Sequence, residues 1–139
     1  MTALGIRQNN PLNLRPGARL WLGELQSTNN YCLFDKPENG LRAAAKNLLT
    51  YQSKYGLRTI REIISRWAPP SDNNDTGAYI GAVSAEVGID YDADIDLSDG
   101  SVMSSMLMAM CRHENGSLPY SVLTFERAAS VAVQDGLEW

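Results

Sequence analysis

Residues 101–121, SVMSSMLMAMCRHENGSLPYS, decide how the rest of the chain is read. Met103, Leu107 and Met110 lie eleven, seven and four positions before Glu114, a helical spacing that puts all four side chains on one face. The pattern predicts an apolar helix whose inward stripe ends in a carboxyl group. A carboxylic acid withdrawn from water is disfavoured in its charged form and keeps a proton near neutral pH, as a general acid must. Gly116 stops the helix. The helix body then holds the acid rigidly while its open end admits substrate. The competing interpretation is a surface turn, because a slip of one residue at a frayed end turns the carboxyl outward.

Composition bounds the rest. A chain of 139 residues makes one domain, residues 1–139, large enough to bury a core without metal or disulfide staples. An apolar fraction of 44% with 20% charged residues is that of a globular protein. A net charge of −4 and a pI near 4.9 argue against a nonspecific nucleic-acid or anionic-membrane binder, since both need basic patches. Cys32 and Cys111 lie far apart; Cys111 falls in an apolar run, and a disulfide between them is allowed but not implied. The first ten residues carry no apolar signal region, and no run reaches membrane-spanning length. The expectation is synthesis in the bacterial cytoplasm without a signal peptide and no membrane insertion.

Read outward from the central stretch, the N-terminal part is rich in Asn, Gly and Pro, with short apolar runs at 20–22 and 31–34. It reads as loops and one small hairpin turning at 27–30. Asn9, Asn10 and Asn13 surround Pro11, which is ordinary turn chemistry or a cluster of amides poised for a ligand. Asp35, Pro37 and Glu38 mark a helix start, and the helical period runs through Leu41, Ala44, Ala45, Leu48 and Leu49 to Gly56. Thr59 and Glu62 have capping-box spacing before Ile60, Ile63, Ile64 and Trp67, and Pro69-Pro70 ends that helix. A third helix over 76–87 turns Tyr79, Ile80, Val83 and Val87 inward. Residues 90–99 form an acidic connector whose spacing does not fit an EF-hand loop. Ser117 is the expected N-cap of a last helix, with Pro119 inside its start. The fold class is therefore mainly α, about five helices with a small β-hairpin near the N-terminus.

Several chemistries are removed by the residues. His113 is the only histidine, so a His-Glu-x-x-His zinc site is impossible, and no Cys/His cluster marks another metal site. No Gly-x-Ser-x-Gly elbow, Walker loop or dinucleotide fingerprint is present. No cofactor is implied. The helix pair around Pro69-Pro70 lacks the basic recognition helix of a DNA-binding motif.

The run Met108-Ala109-Met110-Cys111-Arg112-His113-Glu114-Asn115-Gly116 followed by Pro119-Tyr120-Ser121 resembles the end of the catalytic helix in lysozyme-like lytic transglycosylases, with Asn115 where serine is usual. Residues 5–15, GIRQNNPLNLR, with Trp21-Leu22-Gly23, Phe34-Asp35, the Ser-Arg-Trp-Ala-Pro-Pro run at 65–70 and His113-Glu114-Asn115-Gly116, resemble a family of phage virion and prophage proteins. Together the two resemblances imply a lysozyme-like α+β domain in circularly permuted order, its catalytic helix moved toward the C-terminus.

The resemblance implies cleavage of the β-1,4 bond between N-acetylmuramic acid and N-acetylglucosamine in peptidoglycan, with Glu114 as general acid/base. It places Asn10, Asn13 and Asn115 as substrate-binding amides and offers Tyr79 and Tyr120 as sugar-facing rings. A hydrolase needs a second carboxylate, for which Glu24 and Asp35 are the candidates, whereas a lytic transglycosylase needs one acid/base only. For Asp35 the plainer role is a helix cap, for Glu24 a hairpin charge, and for the tyrosines a half-buried core position. The rival expectation is a non-catalytic virion structural module, or a glycan- or partner-binding one, of the same shape. The expected partner is the peptidoglycan strand and not nucleic acid. The enzyme would act in the periplasm or cell wall, carried in a virion or delivered by a secretion machine.

Overall fold

The computed structural model describes residues 3–135. Among these it places α1 (Leu4–Arg7), β1 (Glu24–Leu25), β2 (Leu33–Phe34), α2 (Pro37–Tyr55), α3 (Ile60–Trp67), α4 (Thr76–Val87), α5 (Gly100–Asn115) and α6 (Val122–Asp135), with a 3-10 turn at Pro70–Asp72. The architecture is mainly helical with one two-stranded hairpin near the N-terminus, as the periodicity predicts. No helix of the described residues is long and apolar enough to cross a membrane.

α5 is the buried axis, packed between α4 and α6. Met103, Met106, Leu107, Met110 and Cys111 are each fully buried along it. Asp99 caps its start, its carboxylate accepting the N–H groups of Ser101 at 2.9 Å and Val102 at 3.3 Å. α2 lies against α6. Ala43, Ala44 and Ala45 of α2 and Ala128, Ala129 and Ala132 of α6 are buried, and these small side chains let the helix backbones come close. At the far end of that interface the buried Arg42 guanidinium donates to Asp135 from Nε at 3.1 Å and from Nη2 at 3.0 Å.

The short elements depart from the sequence reading in four places. α1 was not expected, since four residues carry less than a full period of pattern. The first strand is Glu24–Leu25 and not the apolar run at 20–22; Gly23, at φ +78°, turns the chain there and leaves Leu20 and Leu22 exposed. Asp35 is not the cap of α2: Lys36 holds that position, and Asp35 accepts the Asn39 side-chain N–H at 2.8 Å instead. Ser117 and Pro119 lie outside α6, which begins five residues later at Val122, where Ser121 Oγ accepts the Thr124 N–H at 3.4 Å. The hairpin turn falls where expected, with Asn29 N–H donating to Ser27 Oγ at 3.2 Å. Thr59 caps α3 through the Glu62 N–H at 3.1 Å. In the acidic connector Ile95 and Leu97 are buried, which pins it to the body.

Candidate active site

Glu114 is the penultimate residue of α5, four positions after the fully buried Met110, and Gly116 ends the helix in the left-handed conformation at φ +73°. The carboxyl group is half-buried in the wall of a cleft of about 360 Å³. Three donors from three distant parts of the chain converge on it. Asn13 Nδ2 donates to Oε1 at 3.2 Å, Tyr79 Oη donates to Oε2 at 3.0 Å, and Trp67 Nε1 donates to Oε2 at 3.4 Å. All three are neutral, and among the described residues no cation lies within ion-pair distance of Glu114.

Each donor is fixed by local sequence. Asn13 sits at φ +58°, a backbone region that asparagine tolerates better than most residues. Behind it runs a clasp of amides. Asn10, fully buried, donates from Nδ2 to the carbonyls of Leu14 at 2.9 Å and Cys32 at 3.0 Å, and accepts the Leu14 N–H at 2.9 Å. Asn9 Nδ2 donates to the Phe34 carbonyl at 2.9 Å, so the N-terminal segment is stapled to β2. Gly40 makes this possible, because a Cβ there would stand 1.9 Å from the Asn9 carbonyl oxygen. Trp67 follows Ile60, Ile63 and Ile64, all fully buried, which anchor α3 and aim the indole at the cleft. Tyr79 is buried on α4, its ring stacked on His113 at 3.9 Å between centroids. Burial pushes the Tyr79 phenol far above its ordinary range, and the Glu114 carboxylate adds to this. Tyr79 is therefore a permanent donor to Glu114.

The rest of the lining is amide, aromatic and charged. Asn47 and Tyr51 come from α2, Asp72 and Asn74 from the turn after α3, and Arg15 and Tyr31 from the N-terminal part. Side-chain amides and carboxylates pair with hydroxyl groups, and aromatic faces cover the apolar faces of sugar rings. Neither thiol adds nucleophilic chemistry: burial raises Cys32 to about 12 and Cys111 to about 11, and both are free. Among the described residues no three His, Cys, Asp or Glu side chains gather as a metal site would require.

The sequence candidates divide sharply. Asn13 and Glu114 meet in the cleft. Tyr79 touches the site only through its hydroxyl bond to Glu114; its ring is in the core, lines no part of the cleft and offers no face to a sugar. Asn10 is spent on the clasp and lines no part of the cleft. Asn115 turns back, donating to the carbonyls of Pro11 at 2.7 Å and Cys111 at 2.9 Å. Tyr120 packs on Phe125 at 5.9 Å, outside the cleft, and burial lifts its phenol to about 12. Glu24 accepts the Trp21 N–H at 3.0 Å, and neither it nor Asp35 lines the cleft beside Glu114. The carboxylate that does line it is Asp72, which the sequence reading did not single out. Trp67, Tyr51, Asn47 and Arg15 were likewise not singled out as site residues. For Trp67 a signal existed, an indole four residues after Ile63 at the end of its helix, directly before the proline break.

No family model matches the chain. It is 37% identical over 142 aligned residues to Protein P5 of Pseudoalteromonas phage PM2, a match that spans 99% of this chain and 81% of that protein.

Proposed function

Because the chain belongs to the family of Protein P5 of Pseudoalteromonas phage PM2, we propose that it is a bacteriophage protein that opens the host cell wall, as a peptidoglycan lytic transglycosylase with a lysozyme-like fold and Glu114 as its acid/base. The observation that supports this reading is the setting of Glu114: half-buried, on a rigid helix end, facing an amide- and aromatic-lined cleft, and held by three neutral donors with no cation to fix its charge. In the proposed step the protonated Glu114 donates its proton to the glycosidic oxygen as the bond to the muramic-acid anomeric carbon breaks. The C6 hydroxyl of that sugar then attacks the same carbon, closing an anhydro ring, and returns its proton to Glu114. Tyr79, Trp67 and Asn13 hold the carboxyl in position throughout. One carboxyl group suffices, so neither Glu24 nor Asp35 is needed. A hydrolytic variant of the reaction would have Asp72 as the second carboxylate of the pair.

The test is digestion of purified Gram-negative peptidoglycan by the wild type and Glu114→Gln, with mass spectrometry of the soluble fragments. Anhydromuropeptides from the wild type and none from folded Glu114→Gln are expected. Reducing-end products abolished by Asp72→Asn would replace transglycosylation by hydrolysis. A second reading has one observation in its favour: Asn13, Trp67 and Tyr79 already occupy both carboxylate oxygens, as in a purely structural site. On that reading the protein is a non-catalytic virion module that binds glycan in the same cleft. Absence of any product from folded wild type, with retained binding to peptidoglycan, would select it. In either case we place the protein's action at the host cell wall, delivered with the virion.

A further inference from the structure

The cleft is electrically uneven. Among the described residues its lining holds two carboxyl groups, Glu114 and Asp72, and one cation, Arg15. Arg15 stands two residues after Asn13, so at most about 7 Å separates their Cα atoms. Its base is rigid, because the preceding Leu14 is clamped by Asn10 on both its N–H and its carbonyl, each at 2.9 Å, and by the Cys32 N–H at 2.9 Å. The exposed guanidinium lies 5.8 Å over the centre of the Tyr31 ring. Among the described residues no carboxylate lies within ion-pair distance of it. A cation with a fixed base, on the wall of a cleft in a protein of net charge −4 and unused in any internal ion pair, is a donor waiting for an anion.

We propose that Arg15, backed by Tyr31, is a specificity subsite for a carboxylate carried by the glycan strand beside the sugar bound at Glu114. The proposal rests on the glycan-cleft reading above and goes beyond it by naming what the strand must carry. Peptidoglycan offers such a group from two sources, the lactyl carboxylate of muramic acid when no peptide is attached and the carboxylates of the peptide when one is. A neutral strand of N-acetylglucosamine offers none. The planar fork of Arg15 pairs with a carboxylate bidentately. Because Asp72 on the same lining repels that group, the strand enters in one register, with its anionic substituent at Arg15.

The test uses Glu114→Gln protein, which leaves the strand intact, with and without Arg15→Gln, an exposed position whose change does not threaten the fold. Binding is measured to peptide-bearing glycan fragments, to the same strands stripped of peptide by an amidase, and to chitohexaose. Arg15→Gln is expected to weaken binding to the anionic strands about tenfold and to leave chitohexaose unchanged, with the difference shrinking as salt is raised. A loss on peptide-bearing strands alone identifies the peptide as the source, and a loss on stripped strands identifies the lactyl group. Equal binding of both proteins to all three, or an equal loss on chitohexaose, overturns the subsite and leaves the glycan cleft standing. Binding to none of the three overturns both.

Discussion

Tyr79→Phe removes one oxygen atom from the buried end of the site and nothing else, since the ring is 2% exposed and its stack on His113 is kept. Glu114 then loses the shortest of its three donors, the Tyr79 hydroxyl at 3.0 Å, while Trp67 on the same oxygen stands at 3.4 Å. A hydrogen bond to a charged group contributes about 1.5–3 kcal/mol. Because Glu114 borders a cleft from which water can replace the lost donor, the loss falls at or just below the bottom of that range, about 1–2 kcal/mol. For a domain of this size that lowers Tm by roughly 3–8 °C. Urea unfolding should show a lower midpoint with an unchanged slope. The decisive measurement is a double-mutant cycle with Glu114→Ala, in which a coupling energy of about 1–2 kcal/mol isolates the pair. A coupling near zero, with both single variants folded, would refute the contact and with it the claim that Tyr79 positions the acid. In peptidoglycan digestion the same variant should lower turnover while substrate binding holds.

Gly40→Ala should destabilise the protein by about 2–3 kcal/mol, because the new Cβ meets the Asn9 carbonyl oxygen at 1.9 Å. Gly81→Ala on α4, where a Cβ meets nothing within 4 Å, should instead stabilise by about 0.5–1 kcal/mol. Paired denaturation curves check both, and a stable Gly40→Ala protein would remove the close approach from the account. Stability should also fall in alkali. Cys32 at about 12 and Cys111 at about 11 keep protons in the folded state that the unfolded chain releases from about pH 9. Their contribution is complete below pH 9 and is lost as pH rises through the folded values, by about 1.4 kcal/mol per pH unit for each thiol. Unfolding at pH 8 and 10.5 tests this, with Cys32→Ala expected to flatten the dependence; a slope that this change leaves untouched would assign the effect to other groups.

Glu114 was legible because its environment is written locally: a stripe of Met and Leu fixes the face, and glycine fixes the end. The helices were legible for the same reason, through caps such as Thr59 and stops such as Gly56 and Gly116. The two carboxylates named as possible partners failed because their nearest interactions are also local. Glu24 turns to the Trp21 N–H and Asp35 to Asn39, contacts that satisfy each side chain within its own turn. Asn10 shows the opposite difficulty, since nothing near it in sequence announces that Cys32 will take its amide. The rest of the cleft lining, with Tyr51, Trp67 and Asp72, depends on how α2, α3 and the turn after α3 come together with α5. No single-helix period contains that information. The late start of α6 has a simpler cause, because Tyr120 tucks against Phe125 and spends the preceding residues on a loop.

The bond from Asn13 to Glu114 joins residues 101 positions apart. On the ribosome the amide is therefore made long before its acid. At roughly 5–20 residues per second the interval is on the order of 5 to 20 s. During that time the N-terminal segment has no helix end to close upon, and a nascent or truncated chain carries no assembled cleft. The protein is in this sense timed by its own topology: whatever chemistry the cleft performs begins only after the end of α5 has been made.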